Sequence, residues 1–397
     1  MQFEQFNMKV MANADALEAM KSQGLWQGSF NGKESTLQQL SPYVGKLKSG
    51  IAHRLIEYFT EPGERICDPF SGSGVVALEA LLQGRKAAAN DLSIYAYCMT
   101  RGKAEAPSEY GEAVARAGKL LNHVSVHHNN RSLRQVDQWV QAFFHPDTLK
   151  ETLAAFDYCK QQGDWFLASC LCGILHHQRP GFLSYPSSHL VPYLRTKLFP
   201  QAEYPELYLY RPLGPRLLSK IRRAYKRPCI KKMWTSEDYD IRMNDAGVLP
   251  FKRASMDLIL TSPPYYQALS YARDNRLRLW FLGERDWQNL DKRLTARVRD
   301  YEQQMGECLK EMHRILKPGK YCILIVGEVV SDGKTRDTAE VLGGLARRST
   351  NGGFSINCVV DDAIPDVRRS RRGTKTTKIE KILVLQKAVR RQRMALS

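Results

Sequence analysis

Short apolar runs, closed by Gly, Pro or small polar residues, alternate along this chain with longer stretches of helical spacing. The runs at 65–68, 86–91, 239–243, 256–261, 320–327, 354–360 and 380–386 predict seven strands. Strands that alternate with amphipathic helices predict an α/β fold with a doubly wound, mostly parallel sheet. The last two runs are joined without a helical crossover, so they should be antiparallel neighbours. Between the second and third strands the chain runs from Pro107 to Trp234, far beyond the usual connection. That length predicts a largely helical inserted domain. Its expected elements are a helix N-capped at Asp147 and running to Tyr158, and a buried helix from Asp164 to His177. Between Arg179 and His189 a loop rich in small polar and aromatic residues is suited to reading base edges or wedging into a duplex. The boundaries are 1–106 for the first part of the core, 107–234 for the insertion, 235–390 for the second part of the core, and 391–397 for a basic tail.

Composition narrows the class. With 397 residues, 43% of them hydrophobic and 25% charged, the chain can bury a full-sized core plus one insertion. It contains no apolar run of membrane-spanning length, and its first residues lack a secretory pattern, so we expect a soluble cytoplasmic protein without a membrane partner. Nine cysteines, an odd number without a framework, suit a reducing compartment. Cys170, Cys172, His176 and His177 lie close in sequence, but no paired CxxC spacing accompanies them, and we assign no metal.

The net charge of +18 is natural for a protein that neutralises a phosphate backbone. It is concentrated in two runs. Lys220, Arg222, Arg223, Lys226 and Arg227 form one, and Arg368, Arg369, Arg371 and Arg372 the other. Either run can be solvated surface; two of them flanking one core favour double-stranded nucleic acid.

Two motifs carry the chemistry. Asp68-Pro69-Phe70-Ser71-Gly72-Ser73-Gly74 lies between a strand and a helical run, and Asp91 ends the next strand, where an acid can accept from ribose hydroxyls. That arrangement fits an adenosine ligand. Thr261-Ser262-Pro263-Pro264-Tyr265 closes the strand Met256 to Leu260 with a rigid corner. An exocyclic amine on a nucleobase is a poor nucleophile because its lone pair is delocalised. A site that accepts both N–H hydrogens draws that pair back onto nitrogen. Ser262 Oγ and the Pro263 carbonyl are placed for this, and Tyr265 offers a face to stack on.

In combination, DPFSGSG, the acid of NDLS and TSPPY resemble the DNA amino-methyltransferases, which methylate N4 of cytosine or N6 of adenine. The resemblance extends to Ser41-Pro42-Tyr43-Val44-Gly45-Lys46-Leu47-Lys48, to Asn244-Asp245-Ala246 and to Leu316-Lys317-Pro318-Gly319-Lys320, and leaves the middle of the chain uncovered. It implies a seven-stranded methyltransferase sheet ending in an antiparallel hairpin, with S-adenosyl-L-methionine held by Lys46, Asp68, Phe70, Ser71, Gly72, Ser73, Gly74, Asp91, Leu92 and Asp245. Catalysis would then fall to Ser262, Pro263, Pro264 and Tyr265. Direct transfer to a flipped base follows, since no cysteine has the Pro-Cys context of the C5-cytosine enzymes. Ser ahead of Pro-Pro-Tyr is the residue most often seen in N4-cytosine enzymes. Adenine N6 remains the alternative, followed by an RNA or protein methyltransferase, in which Asn or Asp more often fills that position, and by a catalytically silent nucleic-acid binder. The resemblance leaves room for a cognate restriction endonuclease and a bacterial or phage host. One departure is plain: here the cofactor motif precedes the catalytic one, with the insertion between them.

Overall fold

The structure is a computed structural model and describes Glu18 and residues 34–188, 191–227, 234–264, 270–294, 298–327, 329–331, 334–363 and 379–389. Its centre is a seven-stranded sheet. In chain order the strands are β1 (Arg65–Asp68), β2 (Lys86–Asp91), β3 (Tyr239–Met243), β4 (Met256–Thr261), β5 (Leu316–Gly327), β8 (Phe354–Ala363) and β9 (Ile379–Lys387). A separate small hairpin pairs β6 (Val329–Ser331) with β7 (Lys334–Arg336). The order across the sheet is β3-β2-β1-β4-β5-β9-β8, with β5, β9 and β8 antiparallel and the remaining pairs parallel. The strand order reverses between β1 and β4. At such a switch point the carboxyl ends of two neighbouring strands open a crevice for ligand.

The apolar runs are continuous because both faces of the sheet are covered. Ile66, Ala87, Ala89, Leu258, Leu260, Ile323 and Ile325 pack on one side under α1 (Ser49–Phe59) and α2 (Val75–Leu82). Their chain neighbours Cys67, Ala88, Ile259, Cys322 and Leu324 point the other way, against α12 (Val298–Ile315) and α13 (Thr338–Ser349). Adjacent residues on a strand face opposite sides, so both sets of side chains on the central strands find a core. The seven expected strands are present with small shifts of boundary. The largest is in β5, which begins at Leu316 and carries Pro318-Gly319 within it; a register shift against β4 between Met256 and Leu258 accommodates them.

The described residues of 107–234 are largely helical, as expected, but they are not cored separately. Its helices α4 (Tyr110–His127), α5 (Gln138–Gln141), α6 (Pro146–Gln162), α7 (Trp165–Cys172) and α8 (Leu213–Ala224) share one apolar cluster with α3 (Ile94–Ala104), which follows β2, and with α10 (Arg276–Leu282) and α11 (Trp287–Leu294). The joint is close. Ser169 Oγ donates to the Cys98 carbonyl at 2.9 Å, and a Cβ on Gly102 would lie 2.3 Å from that hydroxyl. Two local expectations change. The cap of α6 is His145, whose Nδ1 accepts from Asp147 N, so Asp147 lies inside the first turn. Asp164 does cap α7, accepting from Leu167 N at 2.9 Å, but the helix stops at Cys172. There Gly173 passes so close to the Leu40 carbonyl that a Cβ would sit 2.0 Å from it.

Candidate active site

The turn after β1 is held from three sides. Asp68 Oδ1 accepts from Phe70 N at 3.2 Å and from Thr261 Oγ1 at 2.6 Å, so the last residue of β1 is tied to the last residue of β4. Asp91, at the end of β2, accepts from Gly72 N at 2.8 Å through one oxygen and from Ser93 N at 3.0 Å through the other. Gly72 has φ 47°, and a Cβ there would lie 3.1 Å from the Tyr43 ring. Glycine is therefore required for both the backbone and the approach of the aromatic. Burial pushes the Asp68 carboxyl up to about 7 and that of Asp91 up to about 6. On the far side, Asn244 N donates to the Asp91 carbonyl at 3.2 Å, which brings Asp245 to the rim.

These elements enclose a cavity of about 310 Å³, within the range that takes one nucleoside-sized ligand. Lys46, Asp68, Phe70, Ser71, Gly72, Ser73, Asp91, Leu92 and Asp245 line it, together with Ser262 and Pro264. The topology thus gathers the sequence motifs around one space. Two expected residues take other places. Gly74 caps α2 with φ 72° and packs against α3, where a Cβ would come within 2.8 Å of Thr100 Cα; its role is close packing. Pro263 is buried and does not line the cavity, whereas the Pro264 carbonyl accepts from Tyr301 Oη at 3.2 Å. Tyr265 lies outside the described residues.

The wall also holds residues that the sequence did not single out: Tyr43, Tyr271, Asn275 and Tyr301 among them. Tyr43 stacks between Tyr95 and Tyr271, with ring centroids 5.9 and 6.1 Å away. Asn275 separates the short helix α9 (Tyr271–Asp274) from α10; its Oδ1 accepts from the buried Arg278 at 3.0 Å and its Nδ2 donates to the Tyr271 carbonyl at 3.0 Å. Tyr43 was within reach, since it sits in the quoted approach to Lys46. Asn275 carried no signal: it sits at the break between α9 and α10, outside both motifs.

The donor set suits an S-adenosyl ligand. Each Asp91 oxygen accepts one backbone N–H and keeps capacity for a ribose hydroxyl. Asp68 and Lys46 put both signs of charge on the wall, as a ligand carrying an amino group, a sulfonium and a carboxylate requires. Residues 20–100 match the DNA methylase family of N6/N4 type. The segment that carries the glycine-rich turn and Asp91 is similar to that family. The cofactor is S-adenosyl-L-methionine, and Asp68, the Ser71–Ser73 turn, Asp91 and Lys46 are the residues of this wall that suit it.

Solved structures resemble the chain more distantly. TrmN from Thermus thermophilus is 14% identical with a TM-score of 0.33, over 89% of this chain and 52% of that one. A protein named as a DNA modification methylase from the same organism, solved with S-adenosyl-L-methionine, is 20% identical with a TM-score of 0.25, over 38% of this chain and 55% of that one. A methyltransferase from Methanosarcina mazei is 11% identical with a TM-score of 0.34, over 85% and 98%. The chain thus spans about half the length of the first two structures. No curated protein matches it.

The basic residues divide. Arg222, Arg223, Lys226 and Arg227 are exposed at the end of α8, and Arg227 Nη1 also donates to the Glu34 carbonyl at 3.0 Å. Lys220 does not join them: it is 9% exposed and its Nζ donates to the Gln39 carbonyl at 2.7 Å. It faces the core, so its assignment to DNA is corrected. Arg368, Arg369, Arg371 and Arg372 lie outside the described residues. The described part of the loop from Arg179 is also less free than expected. Leu183, Ser184 and Ser187 are buried, Tyr185 N donates to the Phe143 carbonyl at 2.7 Å, and Arg211 Nη1 donates to the Phe182 carbonyl at 3.1 Å. Cys170 and Cys172 sit in the apolar cluster, and among the described residues no three His, Cys, Asp or Glu side chains gather around one point. No helix among those residues is long and apolar enough to cross a membrane.

Proposed function

We propose that this methylase transfers a methyl group to the exocyclic N4 of cytosine in double-stranded DNA. The observation that carries the proposal is the placement of Ser262 and Pro264 on the wall of the same cavity as the Asp68–Ser73 turn and Asp91. A target amine held at Ser262 is thereby brought to the cofactor without any movement of the sheet. S-adenosyl-L-methionine supplies a methyl group on a sulfonium, an electrophile that an uncharged amine can attack directly. The chain's own part is positioning. Ser262 Oγ accepts an amine hydrogen and holds the nitrogen lone pair toward the methyl group. The hydroxyl can also donate to a ring acceptor, which an aspartate at this position cannot do. Tyr271 gives the base a ring face on the wall, and Thr261, through its bond to Asp68, fixes the register between the two motifs.

The base must leave the duplex to enter such a cavity, at a cost of a few kcal/mol. The exposed Arg222, Arg223, Lys226 and Arg227 supply compensating phosphate contacts. We assign cytosine rather than adenine on Ser262. A cognate endonuclease and a bacterial or phage cytoplasm belong to the same proposal.

The test is incubation with duplex DNA and labelled cofactor, followed by digestion to nucleosides and mass identification. N4-methylcytosine is expected. N6-methyladenine would overturn the choice of base, and a product found in RNA alone would overturn DNA as substrate. In the same assay Ser262→Ala should lower kcat by tenfold or more with little change in KM, because the bond it removes strengthens as the nitrogen becomes tetrahedral. Undiminished turnover would place amine activation elsewhere.

A further inference from the structure

Lys103 is 1% exposed at the end of α3, and no carboxylate lies within ion-pair distance of it among the described residues. Burial and the neighbouring Lys46 charge hold its pKa well below the ordinary lysine value, and a buried amine needs polar partners. Its Nζ donates to the carbonyl of Ser73, in the glycine-rich turn, and to Gln38 Oε1 at 2.9 Å. Gln38, itself 3% exposed, is gripped a second time, since Lys46 Nζ donates to its backbone carbonyl. Gln38 Nε2 donates to Glu79 Oε1 at 2.8 Å, and the other Glu79 oxygen lies 3.3 Å from His53 Nδ1. Lys103, Gln38 and Lys46 therefore form one chain of bonds between the turn and the approach segment. Both of its ends, Ser73 and Lys46, lie on the cavity wall.

We infer that Lys103 is a positioning residue for the carboxylate of the cofactor's amino-acid end. From behind the turn it fixes the Ser73 peptide. Through Gln38 it fixes Lys46, the cation that an anion meets at the wall. The inference rests on the cofactor and is independent of which base is methylated.

The experiment is isothermal titration of the full chain, as wild type and as Lys103→Met, with two ligands: S-adenosylhomocysteine and 5′-methylthioadenosine. The second keeps the adenosine and the sulfur but lacks the amino-acid end. Lys103→Met should weaken S-adenosylhomocysteine at least tenfold and change 5′-methylthioadenosine less than twofold. Lys103→Gln, which keeps a donor without the charge, should fall between wild type and Met for the first ligand. Equal weakening of both ligands would show that Lys103 merely supports the turn and would overturn the inference, as would unchanged binding of both. If Lys103→Met does not fold, Gln38→Leu carries the test with the same expected selectivity, because it cuts the link between the two lysines. Wild type that binds neither ligand would overturn the cofactor assignment itself, a result separate from any loss confined to the variants.

Discussion

Cofactor affinity should depend steeply on pH, through the two carboxylates that flank the glycine-rich turn. Burial raises Asp68 to about 7 and Asp91 to about 6, from an ordinary 3.8 for each, so both gain protons well inside the accessible range. A ligand that brings an ammonium group and two ribose hydroxyls prefers both carboxylates ionised. Below pH 6 the logarithm of Kd should therefore rise by about two for each unit of falling pH, and between pH 6 and 7 by about one. From pH 7.5 to 5 the loss accumulates to roughly three orders of magnitude in affinity. Above pH 8 affinity should fall again, since burial lowers the Lys46 ammonium to about 8. Without ligand the sign reverses. Both folded-state values exceed the unfolded ones, so the folded protein binds more protons between pH 4 and 7. The apo form loses stability as pH rises through that window, by about 4 kcal/mol for Asp68 and about 3 kcal/mol for Asp91. The assay is calorimetric titration with S-adenosylhomocysteine from pH 5 to 8.5 in buffers of different ionisation enthalpy, which also counts protons released. Asp91→Asn should cut the slope below pH 6 from two to one. It should also weaken binding at pH 7.5, since its amide cannot accept from both Gly72 and Ser93. A flat profile in wild type, or an unchanged slope in Asp91→Asn, would refute the reasoning.

Two further outcomes follow from packing and charge. Gly74→Ala forces a side chain into the left-handed region and onto the Thr100 backbone, and should cost roughly 2–4 kcal/mol by denaturant unfolding. Gly111→Ala, on α4 with open space around it, should be neutral or slightly stabilising in the same measurement. Neutralising Arg222, Arg223 and Lys226 together should weaken binding to all duplexes alike and flatten the plot of log affinity against log salt by nearly one unit per lost contact. Lys220→Met should leave that slope intact and lower the unfolding midpoint instead; a changed slope would return Lys220 to the DNA surface.

The central strands were legible because a sheet covered on both faces demands mostly apolar residues along them, and the two glycine-rich and proline-rich corners fall at strand ends by local chemistry alone. Lys220 shows where a charge pattern misleads. Leu213, Leu217, Ile221 and Ala224 mark the buried stripe of α8, and Lys220 falls on that stripe by the same helical spacing, which outweighs its membership of a basic run. Pro263 and Gly74 belong to motifs whose members share sequence proximity but divide their tasks between lining and packing, a division that only the fold reveals. Tyr271, Asn275 and Tyr301 reach the cavity from helices beyond the proline corner, and no local pattern tells which face of those helices meets a ligand.

The apolar cluster that joins the insertion to α3 has a consequence for heredity and engineering. An inserted element with its own core can be exchanged between relatives like a cassette; this one cannot. Excising residues 107–234 would strip Tyr95, Cys98 and Met99 of their packing and bring water to the back of the helix that carries Lys103. The whole chain should melt as one cooperative unit, without a separate step for the insertion.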